Sequence, residues 1–255
     1  YSANPISNKH RYGWLELPHL THSSMPVAVL IHGGAWETGG PASMKYIAEY
    51  LCDHGVACWN IEYRALDSGG GWPTTYADVC DAIDHLIVLK LSAAPMLDLD
   101  RVYLVGHSAG GQLAALALGQ SPSKLDARGL LIDAPLSRLA HKSLPRDVPG
   151  NYAAANPIRH LPSNKDMLLA QGTCDYVIPH GQVRRYGRTA TRRGNRVTYL
   201  TLKDARHNDV LLPWRNPDTY DAVTEALGEF IGAKKVSSKA AKRASRNSSG
   251  SGRMG

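Results

Sequence analysis

The sequence predicts an α/β protein built on a mostly parallel, doubly wound sheet. Three observations carry that reading. Six short apolar segments alternate with longer helical patterns along the 255 residues. The segments are continuous apolar runs, as expected of strands buried on both faces. Two glycine-rich turns, HGGAW at 32–36 and GHSAGG at 106–111, each follow one of those runs directly. Strand–helix alternation of this kind makes a parallel sheet with helices on both faces.

The elements can be justified in order. Residues 12–17, YGWLEL, alternate and predict an edge strand, and residues 26–31, PVAVLI, predict the first buried strand. A helix over 42–54 starts after Pro41 and stops at Gly55. The run VACWNI predicts a strand over 56–61. Helix 74–91 places Tyr76, Val79, Cys80, Ile83, Leu86, Ile87 and Leu89 mostly on one face. The run RVYLV (101–105) leads into an Ala- and Leu-rich helix over 109–119. Three further strands are predicted at 129–132, 167–170 and 197–202. A strongly basic helix over 180–193 separates the last two, and a helix over 218–232 closes the domain. Residues 134–162 carry five prolines and little periodicity. That is long for a connection and predicts a functional loop or small cap.

Charge sorts the partner classes. The net charge is +7, and residues 234–255 carry seven cations and no acid. The tail therefore accounts for the whole excess, leaving 22 basic against 22 acidic residues in the body. A nucleic-acid-binding body is disfavoured, although a basic tail of disordered composition can contact polyanions weakly. Residues 1–233 are expected to form one catalytic domain. No apolar run is long enough to span a membrane, and the N-terminus lacks a signal-peptide core. The chain begins at Tyr1 rather than methionine, so the missing leader says little, and a cytoplasmic location is the expectation. The four cysteines form no CxxC pair and no HExxH occurs, so neither metal nor cofactor is expected. A Cys52–Cys58 bridge is compatible with the spacing but not fixed by it.

Gly106-x-Ser108-x-Gly110 alone is a weak signal. Its context strengthens it, because a nucleophile elbow needs a strand that stops abruptly and a helix that starts at once. The new helix also offers unpaired N–H groups to an oxyanion. A serine needs a base, and histidine titrates in the right range. Of the eleven histidines, His207 lies in a loop after the strand VTYLTL, at the sheet edge where ligands bind. The orienting carboxylate is best supplied by Asp175, after MLLAQGTC, with Asp204 and Asp133 as substitutes. Trp36 and Trp72 are read equally as substrate-binding residues and as core packing. His32 and His107 are read as shaping their turns.

With HGGAW, GHSAGG, GTCDYVIP at 172–179 and the His207 loop, the sequence resembles an α/β-hydrolase of the esterase/lipase superfamily. The likeness runs from about Trp14 to Gly232. HGGxW and residues 60–86 are similar to kynurenine formamidases and a group of small bacterial carboxylesterases. The resemblance implies a Ser108–His207–Asp175 triad and an oxyanion hole drawn from Gly33, Gly34, Ala35 and Ala109. It implies hydrolysis of small carboxylic esters through an acyl-enzyme. Hydrolysis of N-formylkynurenine is the enzymatic alternative, and a catalytically silent hydrolase-fold binding protein is the alternative from another class. A small-molecule ester or amide is the expected partner.

Overall fold

The structure is a computed structural model. It describes residues 10–19, 24–120, 125, 127, 131–132 and 151–233. Seven strands are present among these residues: β1 (Gly13–Glu16), β2 (Met25–Ile31), β3 (Ala57–Ile61), β4 (Leu97–Gly106), β5 (Leu131–Ile132), β6 (Asp166–Gly172) and β7 (Arg196–Leu202). They form two ladders, β1-β3-β2-β4 and β5-β6-β7. β4 and β5 are neighbours, and both core layers draw on strands of both ladders. Every pairing is parallel except that of β1 with β3, so the alternating YGWLEL segment does form an antiparallel edge.

The helices are α1 (Lys45–Asp53), α2 (Thr74–Ser92), α3 (Ala109–Gln120), α4 (Asn151–Ala154), α5 (His180–Arg192) and α6 (Pro217–Ile231). The period-2 rule sorts them into layers. Met25, Val27, Val29 and Ile31 of β2 face one core with Ile83 of α2, Leu113 of α3 and Tyr186 of α5. Ala28 and Leu30 face the other, with Leu51 of α1 and Val223 and Leu227 of α6. All seven residues of β2 are buried, which is why its sequence reads as an unbroken apolar run. The sheet is doubly wound, as expected.

Three details differ from expectation. β4 starts at Leu97, four residues early, because the alternating LDLD segment also pairs: Leu97 partners Met25 across a register shift. The helix after Pro41 opens as a 3-10 turn over Pro41–Met44 before α1. The Cys52–Cys58 bridge is not formed and all four thiols are free. Cys58 instead points its sulfur at the Ala48 carbonyl, 3.7 Å away, and burial raises its thiol pKa. The expected cap over 134–162 falls mostly outside the described residues. Within its described end lie α4 and a 3-10 turn, Pro157–Arg159. The basic tail, 234–255, lies outside as well.

Candidate active site

Parallel pairing decides which loops meet. Ile31 at the end of β2 is in register with Gly106 at the end of β4, and His107 N–H donates to the Ile31 carbonyl at 3.2 Å. Gly172 at the end of β6 is in register with Leu202 at the end of β7. Thr173 N–H then donates to Leu202 O at 2.8 Å and Cys174 N–H to Ala205 O at 2.9 Å. HGGAW therefore stands beside GHSAGG, and the Asp175 loop beside the His207 loop, all at the carboxyl edge.

Ser108 follows β4 directly and has φ 53°, a left-handed conformation that a side-chain-bearing residue adopts rarely. Such strain persists only where surroundings fix it. Here the fixing is tight: a Cβ on Gly110 would lie 2.0 Å from the Ile31 carbonyl oxygen. Only glycine lets the start of α3 close onto the end of β2. The Ser108 side chain is half-buried, and its hydroxyl makes no hydrogen bond among the described residues.

Asp175 is buried, at 4% exposure, and its carboxylate is well satisfied. Oδ1 accepts the N–H groups of Val177 (2.8 Å) and Ile178 (3.0 Å). Oδ2 accepts from His207 Nδ1 at 3.0 Å. That bond leaves Nε2 as the ring's other functional nitrogen. Asp204, the substitute considered from sequence, is exposed and Asp133 lies outside the described residues.

His107 joins the two halves of the site. Its Nε2–H donates to the His207 carbonyl at 3.0 Å, and the two rings lie 4.7 Å apart. Burial, and secondly the neighbouring His207, push its pKa down to about 4. It stays neutral, so it adds no cation beside His207. Sequence reading gave His107 only a turn-shaping part, because its partner is 100 residues away.

The HGGAW turn carries three successive positive φ angles, Gly34 (130°), Ala35 (56°) and Trp36 (62°). A Cβ on Gly34 would fall 1.7 Å from the Thr38 carbonyl oxygen, so the turn requires glycine there. Gly33 backs onto the elbow: its Cβ position is 3.0 Å from Ser108 Cβ. Among the described residues, the N–H groups of Gly34, Ala35 and Ala109 have no acceptor. His32 holds the turn from beneath. Its ring stacks on Tyr63 at 4.2 Å and meets Glu62 Oε1 at 2.9 Å, while Tyr63 Oη donates to His32 O at 2.8 Å. Trp36 is buried in the core layer at 7% exposure. Trp72 is half-buried and stacks on Tyr76 at 5.5 Å.

Sequence reading also missed the carboxylate of Asp78, on the buried face of α2. It accepts from Arg64 N, Nε and Nη2 and forms an ion pair with Arg11, whose Nε lies 2.9 Å from Oδ1. An acid set among Val79, Cys80, Ala82 and Ile83 is the only trace of it in the sequence.

The fold as a whole has been solved elsewhere. Thermogutta terrifontis esterase 2, in a form phosphoramylated by tabun, superposes with a TM-score of 0.73 over 86% of this chain and 88% of its own, at 23% identity. The chain has the α/β-hydrolase fold. A propionate-bound form of that esterase superposes equally well, at 22% identity. The family model described as BD-FAE matches residues 15–137 of this chain, the stretch that holds HGGAW and Ser108. The probable isoprenylcysteine alpha-carbonyl methylesterase ICME of Oryza sativa subsp. japonica is 25% identical over 234 residues, 78% of this chain and 55% of its own. Probable carboxylesterase 5 of Arabidopsis thaliana is 28% identical over 131 residues, covering 45% of this chain and 40% of its own. The chain spans about half the length of the curated methylesterases it matches.

Proposed function

We propose that this protein is a carboxylesterase-like serine hydrolase that cleaves small carboxylic esters through an acyl-enzyme. The observation that carries the reading is the buried Asp175–His207 contact at 3.0 Å. Its carboxylate is anchored by two backbone donors, and it stands at the same sheet edge as the left-handed Ser108.

In this reading His207 Nε2 takes the Ser108 proton as Oγ attacks the acyl carbon. Asp175 holds the ring tautomer and stabilises the imidazolium. The unpartnered N–H groups of Gly34 or Ala35, with that of Ala109, receive the oxyanion, each worth ~3–4 kcal/mol of barrier. The protonated ring then gives its proton to the leaving alcohol. Water, deprotonated by the same nitrogen, releases the acid and frees Ser108. The absent Ser108 hydrogen bond does not oppose this, since catalytic hydrogen bonds are often long without substrate and tighten when it seats. The relatives, a probable methylesterase and a probable carboxylesterase, support ester bonds as the target. The propionate- and butyrate-bound neighbours suggest short acyl groups for the assay.

The test is turnover of p-nitrophenyl acetate, propionate and octanoate beside N-formylkynurenine, with fluorophosphonate labelling of the same sample. Ester turnover and label are both expected, and Ser108→Ala should abolish both. Normal ester turnover by Ser108→Ala would overturn the nucleophile. Turnover of N-formylkynurenine alone would overturn ester specificity in favour of a formamidase.

A further inference from the structure

The sheet ends at β7, far from the antiparallel edge. Among the described residues β7 pairs only with β6, in unbroken register from Arg196 to Leu202. Its outer backbone groups therefore have no ladder partner among the described residues. Proteins usually blunt such an edge with proline, a bulge or inward charge. Residues 197–201, VTYLT, have none of these, and Thr198, Tyr199 and Thr201 are exposed.

Helix α5 packs beside this edge. Arg184, Arg185, Arg188 and Arg192 are exposed along it, and Arg193 continues the row. None of these five has a carboxylate within ion-pair distance among the described residues. Arg196, on the strand itself, is paired with Asp166. Between helix and strand runs an open groove of about 300 Å³, lined by Arg184, Arg188, Tyr199 and Thr201. A smaller pocket extends it inward to Gln171 and His180.

We propose that this groove and strand edge bind an acidic, extended segment of a partner protein, which adds to β7 as a further strand. Two independent requirements are met by that one occupant. The unpaired edge wants a backbone, and the arginine row wants carboxylates. The spacings agree: Arg184 and Arg188 rise ~6 Å along the helix, and same-face residues of a strand repeat every ~6.7 Å. Tyr199 and Thr201 share the face of β7 that carries Val197 and packs toward α5. Glutamates at alternate positions of an added strand would point to that same side. Other occupants fit less well. A second copy paired through β7 would bring two arginine rows together. The chain's own tail, with seven cations and no acid, carries the wrong charge. A lipid surface or free phosphate leaves the strand edge unsatisfied. The site is separate from Ser108 and does not depend on its chemistry.

The experiment uses the whole chain and a labelled eight-residue peptide of alternating glutamate and threonine. Fluorescence anisotropy should show saturable binding that weakens as salt rises, and a lysine–threonine peptide should not bind. Hydrogen exchange should slow at the β7 amides when the peptide is present. Arg184→Glu with Arg188→Glu should lower affinity at least tenfold while ester turnover stays unchanged, and the milder Arg184→Gln with Arg188→Gln should fall between. Four results would overturn the proposal: no peptide binding, unchanged affinity in the variants, binding without protection of β7, or a dimer in sedimentation that buries β7. Binding to phosphatidylserine vesicles in place of the peptide would reassign the row to a membrane surface.

Discussion

Replacing Asp175 by asparagine tests the orientation of His207 more sharply than removing it. The structure fixes which way the new amide must face. Oδ1 of Asp175 accepts two backbone N–H groups, from Val177 and Ile178. An asparagine must place its carbonyl oxygen there, since an NH₂ group would oppose two donors. The amide nitrogen is then forced toward His207 Nδ1, where Oδ2 now stands at 3.0 Å. Two donors cannot share that contact, so the neutral ring shifts its proton to Nε2. The nitrogen needed as base is then blocked. A tautomer inversion of this kind costs ~10⁴-fold in kcat, about 5 kcal/mol of barrier. The fold should lose much less, about 1–2 kcal/mol, because both backbone contacts survive. Stopped-flow or plate-reader hydrolysis of p-nitrophenyl acetate at pH 8, with urea unfolding on the same samples, measures both. Asp204→Asn, at an exposed position, serves as the control and should leave turnover unchanged. A folded Asp175→Asn enzyme within tenfold of the parent would refute the reasoning.

Two further predictions concern the packing that holds the site. His107 is neutral when folded, with its pKa pushed down to about 4 from 6.5, so the unfolded chain binds the extra proton more readily. Stability should therefore fall as pH drops from 6.5 to 4, by up to about 3 kcal/mol from this group. Unfolding midpoints in urea at pH 7 and pH 4.5 would show that loss, and His107→Gln should flatten it; an unchanged pH slope would contradict the assignment. Gly110→Ala sets two rules against each other. Helix propensity alone predicts a gain of ~1 kcal/mol, whereas the new Cβ would sit 2.0 Å from the Ile31 carbonyl oxygen. The clash is with backbone, so a loss above ~2 kcal/mol and a lowered Tm are expected.

The sequence was most legible where one element carries its own evidence. The strands buried on both faces read as apolar runs, and every predicted strand and long helix appears among the described residues, with ends shifted by a few positions. Boundaries slipped where pairing rather than hydrophobicity decided them. Leu97–Asp100 carries two acids, and it is a strand because β2 begins beside it. The acid at position 175 could be ranked first because it lies where MLLAQGTC runs into a loop, whereas Asp204 sits beside His207 in sequence. Its two backbone donors could not be foreseen, because they depend on how residues 175–178 turn.

Contacts across the chain were illegible for a different reason. GHSAGG looks like a local motif, yet little of its precision is local. Gly110 is needed because β2, some eighty residues earlier in sequence, ends against it. His107 matters to His207 through a carbonyl 100 residues away. Gly33 approaches Ser108 only because parallel pairing brings Ile31 and Gly106 into register. The motif's spacing therefore records the demands of two other strands, β2 and β7. A glycine–serine–glycine spacing without them would have no reason to hold φ near 53° at Ser108. The strain at that residue is where the two core layers, the HGGAW turn and the His207 loop are held to one geometry.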